Sequence, residues 1–339
     1  MKRATIDDVA RLAGVSIKTV SRVLNHEPTV RDSTQERVRA VMETLKYSPN
    51  SSARRLAGNR SYLLGLLYDN PSANYITSIQ EGVLKVCKDE HYDMFIHPCS
   101  RSHPALLTEI SDLLSLRKVD GLLLTAPISD MQSVRKMLRK MQAPNVVIEP
   151  SEPGGSKWTV GTNDRDSCAA MVHHFAGLGH KRIAFVLGHP DHLALTNRFE
   201  GFEAGMKESG LKVLKSLCVQ GYNSFDSGVD CGRRLLSRTK LPTAIFCAND
   251  DMAAGVMRVA HEMNLSIPDD LSVAGFDDIP LARQTWPLLT TVRQPVHEMA
   301  ELATRLLISR LRGETPEGVK RIMPSELVIR NSTGPVPQS

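Results

Sequence analysis

No stretch of this chain approaches the roughly 18 consecutive apolar residues that a membrane-spanning helix requires, so no membrane span is expected. The first residues are polar and carry no apolar run of the kind an export signal needs, which implies a protein that works in the cytoplasm. Cysteine is scattered. Cys87, Cys99, Cys168, Cys218, Cys231 and Cys247 include no Cys-x-x-Cys pair and read as reduced core thiols. The usual catalytic signatures are missing too: no G-x-G-x-x-G after a strand, no G-x-x-x-x-G-K-[ST], no G-x-S-x-G. His173, His174, His180, His189 and His192 bunch together, but without partnering cysteines or an H-E-x-x-H helix they read as solvated or capping side chains. Carboxylates able to do acid-base work are present, yet nothing places a nucleophile or cofactor beside them. Neither a metal, a cofactor nor an enzymatic activity is expected.

What the chain does have is an uneven distribution of charge. Residues 1–60 hold twelve Lys and Arg against six Asp and Glu, a net of +6, while the whole chain of 339 residues is +5. The remaining 279 residues therefore sum to about −1, and a basic head on a near-neutral body implies that only the head meets a polyanion. With 41% hydrophobic and 23% charged residues, the body is an ordinary globular chain with room for two domains.

In "TIDDVARLAGVSIKTVSRVLN" (5–25) apolar residues keep helical spacing on both sides of Gly14. Thr5, three residues before Asp8, is the start of a capping box; Gly14 tolerates a left-handed turn, and Ser16 can cap a second helix. These are the ingredients of a helix-turn-helix. Val9, Ala10, Ala13, Val15 and Val20 form the expected seam, leaving Ile17, Lys18, Ser21 and Arg22 outward, where cations reach guanine edges and an aliphatic group reaches a thymine methyl. A third helix over about 33–45 closes the bundle.

"GVSIKTVSRVLN" followed by "YSPNSSARRLAG" closely resembles the head of the LacI/GalR family of bacterial transcription regulators. The resemblance implies DNA contacts from Thr5, Ser16, Ile17, Lys18, Thr19, Ser21, Arg22 and Asn25. It also implies that the short segment from Asn50 to Ala57 is a hinge, helical only when two copies pack on a near-palindromic operator. Leu56 matches a minor-groove wedge, Ala53 a small residue against the groove, and Arg54 and Arg55 face phosphates or the groove.

From Ser61 onward strand-like runs ("YLLGLLYD", "DMFIHPC", "VDGLLLTAP", "VVIEP") alternate with helices of about 76–89, 104–116 and 130–141. A second set starts near Asp164 with a helix ending at "GLGH", then "KRIAFVLG", "RFEGFEAGMKESG", "TAIFCAND", "DDMAAGVMRVAHEMN" and "LSVAGFDD". The expected fold is an all-α helix-turn-helix head followed by an α/β core of two subdomains with parallel doubly wound sheets, similar to type I periplasmic binding proteins. The expected divisions are a DNA-binding domain 1–47, a hinge 48–60, a first core subdomain 61–161 with 292–330, a second 162–291, and a tail 331–339. That tail has no leucine heptads, so a homodimer is expected without a tetramer-forming extension.

Polar residues sit where strands end: Asp69 and Asn70, Asn249 and Asp250, Asp277 and Asp278, all expected to face a cleft between subdomains. Turn formation explains such residues equally well. The resemblance implies effector contacts from Arg198, Asn249, Asp277 and Gln294, and extends to Asp69, Asn70, Asn74, Tyr75, Asn223 and Phe225. A sugar is expected over a purine because no aromatic sandwich is assured. The function expected is that of an effector-controlled regulator, in most relatives a repressor. A purine- or metabolite-dependent corepressor type is the nearest alternative, ahead of a carbohydrate-active enzyme or a solute-binding protein.

Overall fold

The computed structural model describes residues 4–24, 30–45, 47, 60–150, 156–192, 194–314, 318 and 321–337. The chain forms two compact units, Met1–Tyr62 and Leu63–Ser339, each taken by itself below.

The first unit holds three helices, α1 (Ile6–Ala13), α2 (Ile17–Leu24) and α3 (Asp32–Thr44). Thr5 and Asp8 form a reciprocal capping box at the start of α1, each side chain bonded to the other's backbone N–H. Gly14 ends α1 at φ +63°, a conformation that costs a side-chain-bearing residue about 1 kcal/mol or more. Ser16 then caps α2 by accepting from the Thr19 amide at 3.1 Å. Val9, Ala10, Ala13, Val20, Val23, Val30 and Val38 make the buried centre, with Val15 only partly covered.

The second unit carries two parallel sheets. The first runs β11-β5-β4-β3-β1-β2, built from β1 (Leu63–Tyr68), β2 (Asp93–Pro98), β3 (Gly121–Thr125), β4 (Asn145–Ile148), β5 (Thr159–Thr162) and β11 (Ile322–Met323). Every pair is parallel, and β3 is buried along its whole length, as a strand covered by helices on both faces must be. The covering helices are α4 (Ala73–Glu90), α5 (Leu106–Ser115), α6 (Gln132–Lys140) and α11 (Val296–Arg312). The second sheet, β7-β6-β8-β9, comprises β6 (Ile183–Leu187), β7 (Cys218–Gln220), β8 (Ala244–Cys247) and β9 (Ser272–Ala274). It is packed by α7 (Asp164–Gly177), α8 (Ala194–Glu208), α9 (Phe225–Leu236) and α10 (Asp250–Glu262). Phe185, Phe202 and Phe246 meet at its centre, with ring centroids 4.8 and 5.3 Å from that of Phe185.

An antiparallel ribbon of β10 (Thr291–Arg293) and β12 (Glu326–Val328) accompanies the last passage between the sheets. After β9 the chain enters α11, which packs on α4, β3 and β4, and β11 then joins the edge of the first sheet beside β5. The crossing back expected for the segment after "LTTVRQP" is therefore present.

Three elements escaped the sequence reading. β5 and β7 are only four and three residues long, too short for a periodic signal. The helix α9 carries Gly228 and Gly232, which weaken helix propensity but let α10 approach; a Cβ on Gly228 would lie 2.3 Å from the Met252 carbonyl oxygen. Helix α4 also starts at Ala73 rather than near Ile76, and α8 at Ala194 rather than near Arg198.

Residues 331–336 are not a loose tail. The amide of Val273 donates to the Ser332 carbonyl at 2.8 Å and that of Val336 to Leu178 at 2.9 Å, so this segment continues the second subdomain beyond β9. His180 fastens it. The ring is buried, with Nε2 3.1 Å from Ser272 Oγ and 3.0 Å from the Gly334 carbonyl, and Nδ1 3.0 Å from Thr243 Oγ1. His180 and His192 are thus buried, contrary to the expectation of solvated or capping histidines. The six cysteines are free thiols, and all but the half-buried Cys218 are buried.

Candidate functional site

On α2, residues four apart share a face, so Ile17 with Ser21 and Lys18 with Arg22 form one surface. Ile17 and Lys18 are exposed, Ser21 and Arg22 half-buried. Ile17 is 46% exposed, so its side chain stands outside the small core of this unit. The Thr5 hydroxyl is engaged in the capping box, and the Ser16 and Thr19 hydroxyls lie 2.9 Å apart. Asn25, Ala53, Arg54, Arg55 and Leu56 fall outside the described residues.

In the second unit, the carboxyl ends of strands from both sheets converge on a narrow cleft lined by Tyr75, Glu149, Arg198, Asn223, Asn249 and Asp277. Its centre is Arg198 on α8, which is 3% exposed. Arg198 Nε donates to Asp164 Oδ2 at 2.9 Å, Nη1 to the Ala248 carbonyl at 2.5 Å and to Asp277 Oδ1 at 3.3 Å, and Nη2 to Glu149 Oε1 at 3.3 Å. The guanidinium also lies 3.8 Å from the Phe276 ring centroid, a cation–π contact. Asp164 begins α7 just past β5, Asp277 follows β9, and Glu149 follows β4 in the other sheet.

The backbone is bent to achieve this. Glu149, Asn223 and Asp277 adopt φ of +53°, +61° and +112°. Positive φ outside glycine is uncommon, and these three turns aim the Glu149, Asn223 and Asp277 side chains at the cleft.

Other lining groups are tied in turn. The Tyr75 hydroxyl donates to Glu149 Oε2, and Gln294 Nε2 to Asp277 Oδ1 at 2.7 Å. Asn249 caps α10 by accepting from the Met252 amide at 3.0 Å, and its Nδ2 donates to the Asn223 carbonyl at 3.0 Å. Asn70 accepts from the Ser72 amide at 2.9 Å, and Ser72 Oγ crosses the cleft to Asp251 at 2.9 Å. Arg101, after β2, reaches His189, after β6, at 2.8 Å.

Burial shapes the ionisation of this cluster. It pushes the Asp277 carboxyl up to about 7 against the pull of Arg198, and raises that of Glu149 in the same way. Tyr75 is held well above the usual phenol range by burial and by Glu149. Arg198 is held above its ordinary value: burial opposes its charge, but Asp164, Asp277 and Glu149 outweigh it. Burial, with His189 and Arg101 nearby, lowers His192 to about 4.

Of the ten residues expected at an effector site, Asn70, Tyr75, Arg198, Asn223, Asn249 and Asp277 line this cleft, and Gln294 reaches it through Asp277. Asp69, Asn74 and Phe225 do not line it. Asp69 accepts from the Arg101 amide at 3.1 Å, Asn74 is exposed on α4, and Phe225 packs against the second core. Two strand-end acids also turn away. Asp250 accepts from Thr291 Oγ1 at 2.6 Å and the Ile279 amide at 2.9 Å. Asp278 is clasped by Arg283, Arg293 and Arg330. The sequence reading missed Glu149, Asp164, Ser72 and His192. Glu149 ends the recognised strand "VVIEP", so the strand-end rule applied there identifies it; Asp164 follows β5, whose brevity hid it.

Residues 5–50 match the bacterial regulatory proteins of the lacI family, and residues 172–333 match the periplasmic binding protein-like domain. The chain is 34% identical to the HTH-type transcriptional regulator DegA of Bacillus subtilis, covering 98% of this chain and 99% of that one. Among solved structures it is similar to the Lac repressor dimer bound to operator and the anti-inducer ONPF, with TM-score 0.73, 28% identity and coverage of 98% and 100%. It is likewise similar to the transcriptional regulator CelR in complex with cellobiose, with TM-score 0.73, 27% identity and coverage of 97% and 100%.

Proposed function

This chain belongs to the LacI family of bacterial regulatory proteins, and on that premise we propose that it represses transcription from the cytoplasm, its hold on operator DNA set by a sugar bound around Arg198. The observation that carries the reading is the cleft itself, where Arg198 and Asp277 of one subdomain meet Glu149 and Tyr75 of the other. A ligand placed there touches both subdomains at once, so it has different affinities for their open and closed arrangements. Only such a difference lets it shift the balance.

A sugar suits this lining because each carboxylate oxygen accepts hydroxyl hydrogens. A planar base calls for facing rings, and among the described lining residues only Tyr75 and His192 carry one.

On the DNA side, Ile17, Lys18, Ser21 and Arg22 present the reading face, with Thr5, Ser16, Thr19 and Asn25 around it. The segment Ala53, Arg54, Arg55 and Leu56 serves as the hinge that enters the minor groove. One head makes few contacts, so two copies bind two half-sites of a near-palindrome and share the ordering cost of their hinges. Closing or opening the cleft alters the separation of the paired hinges and hence the grip on DNA. The chemistry is regulation, with no catalytic step.

The test is fluorescence anisotropy of the full-length chain on duplexes selected from a randomised pool, repeated across salt concentrations. Selection of one near-palindromic sequence, with affinity falling steeply as salt rises, supports the reading. Recovery of no preferred sequence overturns it.

A further inference from the structure

Resting on the reading of the Arg198 cleft as an effector site, we propose that its ligand is an uncharged polyhydroxyl compound, and that Glu149 excludes anionic sugars by occupying the guanidinium edge they would need. An acid or phosphate needs cationic hydrogen-bond donors, and the one guanidinium on this lining is already engaged on every edge. Arg198 points Nε at Asp164, Nη1 at Asp277 and the Ala248 carbonyl, and Nη2 at Glu149. The Tyr75 hydroxyl goes to Glu149, Gln294 Nε2 to Asp277, and Asn249 Nδ2 to the Asn223 carbonyl. What is left for a ligand is neutral: Asn70 and Asn223 have their amide oxygens engaged, and their amide nitrogens have no partner among the described residues. Behind Asp277, Gln294 Oε1 is buried with no hydrogen-bond partner.

Charge points the same way. Among the described lining residues Arg198 is the one Arg or Lys, set against Glu149 and Asp277 on the lining and Asp164 behind it. Burial pushes the carboxyls of Asp277 and Glu149 upward, so negative charge is already costly here and a further anion would add to that cost. A hydroxyl group carries no such penalty.

Glu149 is the part of this arrangement that the two-subdomain design makes removable. Asp164 and Asp277 stand on the same subdomain as Arg198, whereas Glu149 arrives from the end of β4 in the other sheet. With Glu149 withdrawn, Arg198 keeps its bonds to Asp164, Asp277 and the Ala248 carbonyl.

The experiment uses the full-length chain, thermal shift and calorimetric titration with matched sugars: cellobiose and cellobionate; glucose, glucuronate and glucose 6-phosphate; ribose and ribose 5-phosphate. The expected result is that, in whichever series binds, the neutral member binds at least about 100-fold tighter than its anionic partners, the scale of a like-charge contact left uncompensated. Glu149→Gln is expected to narrow that ratio by about tenfold or more through gained affinity for the anion, while Tyr75→Phe, which keeps the carboxylate, preserves the exclusion. Should Glu149→Gln not fold, Glu149→Ala, which also removes the carboxylate, replaces it with the same expected narrowing. Wild-type binding of an acid or phosphate as tight as that of the neutral sugar overturns the inference and leaves the sugar reading standing. So does an unchanged ratio in the folded variant. If no member of any series shifts either protein, the inference falls together with the sugar reading.

Discussion

Arg198 and Glu149 meet at 3.3 Å across a cleft whose walls belong to different sheets, both side chains largely buried. Their pairing is one of a small set of polar contacts that join the subdomains, alongside Ser72 with Asp251 and Arg101 with His189. Because each contact spans the cleft, its making and breaking tracks the relative placement of the two subdomains.

Replacing Arg198 by Ala leaves Asp164, Glu149 and Asp277 facing one another with no cation. Removing one partner of a buried ion pair costs about 3–5 kcal/mol, so the core should melt several degrees earlier. Calorimetry on the full chain checks this; an unchanged melting temperature would mean the network is not the anchor described here.

Lys18 is exposed on α2. On the proposed reading face, changing it to Ala should redistribute base preference at one or two operator positions, each by about 1–3 kcal/mol. Binding selection with the variant reads the outcome. A uniform loss over all sequences demotes Lys18 to a phosphate contact.

Truncating His180 to Ala strands Thr243, Ser272 and the Gly334 carbonyl in the interior, at about 1–3 kcal/mol for a buried polar group left unpaired. The expected signature is a lower melting temperature together with faster proteolysis of residues 331–336. Protection identical to wild type would contradict the fastening role.

Two buried groups contribute to opposite pH limbs. His192 is lowered to about 4 from 6.5, so its contribution is complete above pH 6.5 and lost as pH falls toward 4. Asp277 is raised to about 7 from 3.8, so its contribution is present below 3.8 and lost as pH rises through 7. Thermal unfolding across this range should show His192→Asn flattening the acid limb and Asp277→Asn the alkaline one. A variant that leaves its limb untouched removes that group from the account.

Much of this was legible in the residues. Thr5, Asp8 and Gly14 announce the first helix and its end because capping and left-handed turns have strict chemical requirements. Long buried strands such as β1 and β3 stand out for the same reason that parallel sheets are covered on both faces. What stayed hidden depends on three-dimensional convergence. Asp69, Asp250, Asp277 and Asp278 look alike at strand ends, yet only Asp277 faces the cleft, since the others are claimed by the Arg101 amide, by Thr291 and Ile279, and by three arginines. Asp164, hidden after the short β5, gains its meaning from the guanidinium it holds, whereas Glu149 stood at the end of a strand that was recognised. The helix α9 was masked by glycines whose value lies in the approach of α10.

The most direct test is titration of cellobiose, glucose and ribose against a preformed complex of the full-length chain with its selected duplex, followed by anisotropy. The account predicts that one of these sugars changes duplex affinity by about tenfold or more in the wild type, and that Asp277→Asn binds the duplex normally yet shows no change. An Asp277→Asn response equal to that of the wild type would contradict it.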